Sequence, residues 1–238
     1  MLENKLTQIE YFGLLEGMQG QTMPYELDCL VQEPVPALKY LRSLAELKSL
    51  MCPVVQDYLQ NVFVITSPLD WTIRRLDDKK FEILNDKKGK PLNGFVQIGG
   101  AEPGLLYGQP MIHFNLQYHF ITKHPDVIME VLDVPLVDIR LQNVIGEYNI
   151  SKWIHPTNFC FFMSKDVDTI SFKRGDPLMA VKFRTNNRVK LTEVLDSDRR
   201  DKIRDEAQRG MSIKDYYPKI PLKQSFELFT KRMRNLWQ

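Results

Sequence analysis

Alternation of apolar and polar side chains marks the clearest strand of the chain, Ile112–Thr122. One side of this strand carries five apolar residues: Ile112, Phe114, Leu116, Tyr118 and Phe120. The other side carries four polar residues: His113, Asn115, Gln117 and His119. Because successive side chains of a strand point to opposite faces, this pattern predicts a sheet with one face in the core and one polar face.

Similar short runs of β-branched and aromatic residues recur along the chain, separated by turn-forming residues. They predict about ten strands in all. The remaining predicted strands are Thr7–Phe12, Val62–Thr66, Trp71–Leu76, Phe81–Leu84, Val127–Leu132, Val144–Trp153, Phe159–Met163, Thr169–Phe172, Leu178–Phe183 and Val189–Val194. Many short strands with regular turns are typical of an antiparallel β-sandwich, or of a jelly-roll or β-clip-like barrel.

Helical spacing of apolar residues is confined to the two ends of the chain. Ala37–Leu50 has a helical period, and a second short helix is expected to begin at Pro53 and to end near Asn61. Asp196 and Ser197 are suitable N-cap residues for a helix over Asp198–Arg209, which Gly210 is expected to end. We therefore expect a single domain, with a lead-in over 1–61, a β-core over 62–195 and a helical extension over 196–238.

A last amphipathic helix is predicted over Leu222–Leu236. Its apolar stripe consists of Phe226, Phe229, Met233 and Leu236. From Lys219 to the end the chain carries five basic side chains and one acidic side chain. An isolated helix of this length is marginal in water, so we expect the protein's own sheet, or else a neighbouring subunit or partner, to cover the stripe. The helix is thus a candidate for protein binding or self-association, through Phe229, Lys231, Arg232, Arg234 and Trp237.

Composition and charge fit an ordinary globular chain. Apolar residues make up 43% and charged residues 26%, and the net charge is +2. So small a charge predicts no general attraction to nucleic acid or to anionic membranes. The chain begins without a signal-peptide pattern and has no apolar run long enough to span a bilayer, which predicts a cytoplasmic protein. The three cysteines, Cys29, Cys52 and Cys160, lack the spacing of a disulfide framework or a zinc site.

The polar row of Ile112–Thr122 is the first candidate binding surface. His113, Asn115, Gln117 and His119 would line a cleft if another element covered that face of the sheet. The alternative is a solvent-exposed face, which we favour because antiparallel sheets commonly expose one side to water. His113 and His119 lie six residues apart, roughly 20 Å along a strand, so they cannot share one metal ion.

His124 and Asp126 form the His-x-Asp part of a facial triad for non-haem iron, and His155 would be the third ligand. Pro125 places this tripeptide in a turn, and few residues separate Asp126 from His155 for such a fold. We therefore expect neither metal nor cofactor and keep an iron-dependent, 2-oxoglutarate-type oxygenase on a jelly-roll as an alternative. The glycines of 99–108 follow no phosphate-binding pattern, and no nucleophile motif is present.

Two stretches resemble an uncharacterised protein family of tailed bacteriophages and some bacteria. The first is Gly146-Glu-Tyr-Asn-Ile-Ser-Lys-Trp-Ile-His-Pro-Thr-Asn-Phe, continued at Phe172-Lys-Arg-Gly-Asp-Pro-Leu-Met-Ala-Val-Lys-Phe. The second is Cys52-Pro-Val-Val-Gln-Asp-Tyr-Leu through Ile65-Thr-Ser-Pro-Leu-Asp. The resemblance implies a phage-type origin, in a host cytoplasm, and a β-rich fold. It implies no activity.

A fold-level likeness concerns Asp166–Phe183, which is similar to a corner of dUTPase-like β-clip proteins. Lys173-Arg-Gly-Asp-Pro suits a tight turn in which Gly175 has a positive φ and Pro177 opens the next strand. The serine-bearing phosphate motif and the catalytic aspartate motif of that family have no counterpart here. The favoured hypothesis is therefore a non-catalytic phage-type accessory or assembly protein that binds a macromolecule, with nucleotide binding or hydrolysis as a further alternative.

Overall fold

The computed structural model describes residues 6–15, 31–44, 48–77, 80–85, 90–91, 96–98, 111–137, 141–164 and 166–216. Within these ranges the fold is mainly β, as predicted, and three helices lie at its two sides. The described strands are β1 (Leu6–Leu15), β2 (Val35–Pro36), β3 (Val62–Thr66), β4 (Trp71–Arg75), β5 (Phe81–Asn85), β6 (Lys90–Pro91), β7 (Val96–Ile98), β8 (Ile112–Ile121), β9 (Ile128–Leu132), β10 (Leu141–Asn143), β11 (Gly146–Asn149), β12 (Thr157–Met163), β13 (Thr169–Phe172), β14 (Pro177–Arg184) and β15 (Arg188–Glu193). The helices are α1 (Ala37–Leu44), α2 (Pro53–Tyr58) and α3 (Ser197–Tyr216), and Lys48–Met51 forms a 3₁₀ turn.

Two sheets pack face to face as a sandwich. The first has the order β10-β12-β8-β1-β15, with β7 also paired to β8, and the second has the order β11-β9-β14-β3-β2. A third, smaller sheet, β13-β4-β5-β6, adds Trp71 to the same core. The apolar face of β8 is fully buried there, which confirms the alternation read from the sequence.

One strand pair departs from the antiparallel pattern. β1 lies between β8, to which it is antiparallel, and β15, to which it is parallel, with Leu6 opposite Arg188 and Tyr11 opposite Glu193. The strand predicted at Thr7–Phe12 is longer than expected, since β1 covers Leu6–Leu15. It is an inner strand of its sheet, although most of the lead-in over 1–61 was expected to be irregular or helical.

Helices cover the outer faces of the two large sheets. Ala37 and Leu41 of α1 pack with Val62 and Val64, whose neighbours Phe63 and Ile65 face the central core. On the opposite side of the sandwich, α3 packs against the outer face of β1 and β8. Its buried side chains, Ile203 and Ala207, form a separate apolar cluster with Phe12, Ile121, Ile154 and Val194.

The beginning of α3 is as predicted, and its end is not. The Asp196 carboxylate accepts a hydrogen bond of 2.7 Å from the Arg199 backbone N–H, as an N-cap residue does. The helix then continues through Gly210 to Tyr216, so the prediction that Gly210 ends it is wrong. A single glycine costs a helix only about 1 kcal/mol, which neighbouring residues can offset.

Two other local predictions have opposite outcomes. Val144–Trp153 is not one strand, because β11 covers only Gly146–Asn149 and a turn follows. The corner before β14 is as predicted: Gly175 has a φ of 94° and Pro177 begins the strand. The glycines of 99–108 and the predicted helix Leu222–Leu236 lie outside the described residues.

Candidate functional site

Three chain connections meet at one end of the sandwich and enclose a cleft of about 730 Å³. They are the connections from α2 to β3, from β8 to β9 and from β14 to β15. We call this space the loop-end cleft. It is lined by Thr7, Asp57, Gln60, Asn61, His124, Pro125, Asp126, Ile128, Lys182, Phe183, Arg184, Thr185, Asn186 and Asn187.

Asn61 ties two of these connections together. Its φ is 60°, in the left-handed region that asparagine tolerates better than most residues. Its Nδ2 donates to the Asn187 carbonyl at 2.9 Å, and its Oδ1 accepts from the Val189 backbone N–H at 2.8 Å. The Phe183 N–H donates to the Asn61 carbonyl at 3.0 Å. The hairpin between β14 and β15 is thus fixed against the end of α2.

Thr7 of β1 holds the same hairpin from the other side. Its hydroxyl lies 3.2 Å from the Thr185 hydroxyl and accepts a hydrogen bond of 3.2 Å from Asn187 Nδ2. The β14–β15 hairpin, which forms one wall of the cleft, is therefore stabilised by hydrogen bonds from both Asn61 and Thr7. Such a wall has its polar groups in place before any ligand arrives.

Ion pairs neutralise two of the four Asp, Lys and Arg side chains that line the cleft. Arg184 lies 2.9 Å from Glu130 and 2.5 Å from Glu147. Asp126 accepts a hydrogen bond of 2.6 Å from the Lys152 ammonium, and this bond, with the lysine charge, lowers the pKa of the carboxyl group. Lys182 lies over the ring of Tyr58, with Nζ 4.5 Å from the ring centroid. A cation in that position is stabilised by the electron-rich ring face.

The polar row of β8 does not line the loop-end cleft. The side chains of His113 and Gln117 are half-buried, and burial lowers the pKa of His113. The side chain of Asn115 is outside the described residues. His119, however, is only 2% exposed, so the prediction of a solvent-exposed face is wrong at this position.

His119 is buried because α3 covers its part of the sheet. Its ring stacks on Phe12 with centroids 4.6 Å apart and an angle of 4° between the planes. Its Nδ1 has no hydrogen-bond partner among the described residues. Burial, followed by the nearby charges of His155 and Arg204, lowers the pKa of His119 to about 3. Its ring is therefore neutral at physiological pH.

The structure separates the three residues of the alternative iron site. His124 and Asp126 both line the loop-end cleft, whereas His155 packs edge-on against the ring of Trp153, with centroids 4.8 Å apart. The Nδ1 of His155 lies 2.6 Å from the Pro156 carbonyl oxygen. Within the described ranges, no group of three His, Cys, Asp or Glu residues is arranged to hold a metal ion.

The candidate residues of the C-terminal helix, Phe229, Lys231, Arg232, Arg234 and Trp237, lie outside the described part of the chain.

Two of the cysteines are described by the structure. Burial raises the pKa of the Cys160 thiol to about 11, whereas Cys52 is exposed. Over the residues that the structure describes, no helix is both long enough and apolar enough to cross a membrane.

Sequence reasoning missed the loop-end cleft, although its residues are conspicuous turn formers. Asn61, His124-Pro125-Asp126 and Asn186-Asn187 each mark a turn in the sequence. Which turns meet depends on strand order, and the sequence gives no direct sign of that order. In the structure, Asn61 and Asp126 both have a positive φ, which Asn and Asp tolerate better than most residues.

Comparisons of the chain with protein-family models, with curated proteins and with solved structures found no match. The resemblances to a phage family and to β-clip proteins therefore stay predictions.

Proposed function

We propose that this chain is a non-catalytic binding module that recognises another polypeptide at the loop-end cleft. The observation that carries the proposal is the cleft itself, where three connections combine hydrogen-bonding and charged side chains on fixed walls. Loops held by a rigid scaffold are common binding sites, and a volume of about 730 Å³ is within the range of ligand pockets.

The chemistry of the lining suits a polypeptide. Amide side chains both donate and accept hydrogen bonds, and a peptide backbone offers the same two kinds of group. Gln60 and Asn186 are exposed at the rim, so a ligand in the cleft would remain partly in solvent. That arrangement favours a segment of a larger molecule over a small compound, which pockets usually enclose almost completely.

Asp126 is poorly suited to act as a general base in this cleft. A general base works best with a pKa near the working pH, and the bond to Lys152 moves the pKa of Asp126 in the opposite direction. The expected setting for the binding activity is that of the phage family: an accessory or assembly protein acting on a partner protein in the host cytoplasm.

A selection from a random peptide library tests the proposal. Asn186→Trp places a bulky ring at the rim of the cleft, and Lys190→Trp places the same ring on exposed β15 outside it. The wild-type protein and Lys190→Trp should enrich the same peptides, and Asn186→Trp should not bind them. Equal binding by all three proteins would contradict the proposal.

A further inference from the structure

The segment from Leu50 to Leu59 has apolar side chains on two sides. On the inner side, Leu50 and Leu59 are buried and pack on the sandwich. On the outer side, Met51 is 79% exposed, Val54 is 75% exposed and Tyr58 is 52% exposed. We call these last three residues the α2 ridge. A surface helix needs one apolar side for packing, so the ridge is not explained by the fold.

The α2 ridge is continuous with the loop-end cleft. Lys182 lines the cleft, and its ammonium lies 4.5 Å from the centroid of the Tyr58 ring, which belongs to the ridge. Asp57 and Gln60 also line the cleft and lie beside Tyr58 in the sequence. A bound chain can therefore contact the polar cleft and the apolar ridge at once, with Lys182 at the junction.

The junction holds one cation, Lys182, that no carboxylate of the described residues neutralises. Arg184 and Asp126 are neutralised by their own partners, whereas Lys182 makes no salt bridge to any of the described residues. Asp57 is the other charged group of the cleft without such a bridge in the described ranges, and its side chain is exposed, so water and salt screen it more strongly. Lys182 is half-buried and retains more of its field.

We propose that the cleft and the α2 ridge together select an acidic, apolar segment of the partner protein. An aliphatic or aromatic side chain packs on the ridge, and a neighbouring carboxylate pairs with Lys182. This inference rests on the proposed function and adds the chemistry of the partner. Charge complementarity of this kind chiefly sets specificity.

The test uses the same random peptide library with charge variants. Wild-type protein should enrich peptides in which Asp or Glu lies near Leu, Ile, Met or Phe. Lys182→Glu should bind these peptides at least about tenfold more weakly, and it should enrich peptides with Lys or Arg instead. Lys190→Glu, which makes the same charge change on exposed β15, should behave as the wild type.

The ridge is tested with truncations of exposed side chains. Met51→Ala and Val54→Ala should each weaken the binding of the selected peptides several-fold. Leu195→Ala, at an equally exposed apolar position, should not change it. Circular dichroism melting of Met51→Ala, Val54→Ala, Leu195→Ala and Lys190→Glu should match the wild type, since these side chains are exposed. Lys182 is half-buried, so the melting of Lys182→Glu is measured as well, and its binding is compared at a temperature at which the variant is folded.

The outcomes separate the two proposals. If Asn186→Trp fails to bind the selected peptides but these peptides show no preference for acidic residues, the proposed function is supported and this inference is wrong. If no enriched peptide is sensitive to Asn186→Trp, the proposed function is wrong. If Lys182→Glu and Lys190→Glu give the same peptides as the wild type, Lys182 does not select the partner.

Discussion

The buried ring of His119 should make the protein less stable in acid. The ring stacks on Phe12 beneath α3. Burial is the main cause of its lowered pKa, and the nearby His155 and Arg204 lower the pKa further. Protonation of the ring would place a charge in an apolar site, with no hydrogen-bond partner at Nδ1 among the described residues. The folded state therefore resists protonation, while the unfolded chain does not.

The size of the effect follows from the two pKa values. In the unfolded chain the histidine has the ordinary pKa of 6.5, and in the folded protein the pKa is about 3. Below pH 6.5 the unfolded state binds a proton that the folded state does not, so stability falls as the pH decreases from 6.5 towards 3. Between pH 7.5 and pH 5 this single group should lower the free energy of unfolding by about 2 kcal/mol.

Urea unfolding at the two pH values measures this loss, and His119→Phe provides the control. Phenylalanine keeps an aromatic ring against Phe12 but cannot titrate. Because His113 and other groups titrate equally in both proteins, the difference between the two pH dependences isolates His119. The wild type should lose about 2 kcal/mol more than the variant. Equal losses would show that His119 titrates normally and that α3 does not seal this face of the sheet.

Three further predictions concern the scaffold. Phe114→Ala should lower the free energy of unfolding by about 3–5 kcal/mol, because its fully buried ring stacks on Trp71 at 4.9 Å; a loss below 1 kcal/mol in urea titration would contradict that packing. Asn61→Ala should cost about 2–4 kcal/mol through two lost hydrogen bonds and a strained φ, and Asn61→Gly, which relieves only the strain, should cost less. Gly210→Ala should raise stability by about 0.5–1 kcal/mol in thermal melts, since the residue is inside α3, and a decrease would mean that the helix ends there.

The buried residues of the core were predictable from the sequence where apolar and polar residues alternate along a single strand. The alternation of β8 identifies which side faces the core, because a period of two leaves no other arrangement for five apolar side chains. The burial of His119 was not predictable from that strand. The element that covers it, α3, follows more than 70 residues later, and its sequence is mainly charged. Ile203 and Ala207 are the α3 side chains found in the apolar cluster of the described residues.

Short strands and the pairing of distant strands were also not predictable from the sequence. β2 and β6 have two residues each, too few for any period. β1 pairs with two strands that are distant in the sequence, with β8 in antiparallel and with β15 in parallel. The loop-end cleft depends on the same long-range order. His124 and Asp126 were considered as alternative metal ligands, and the structure places both in the lining of one cleft with Asn61 and Lys182, where we propose that a ligand binds.

The most direct test of the binding module is the location of a bound peptide on the folded protein. Backbone amide chemical shifts should be recorded by NMR while a library-selected peptide is added. The largest changes are expected at Asn61, at His124–Asp126 and at Lys182–Asn187, with Val54 and Tyr58 affected at the edge. Changes confined to the opposite side of the sandwich, around α3 or His113, would contradict the assignment of the loop-end cleft as the binding site.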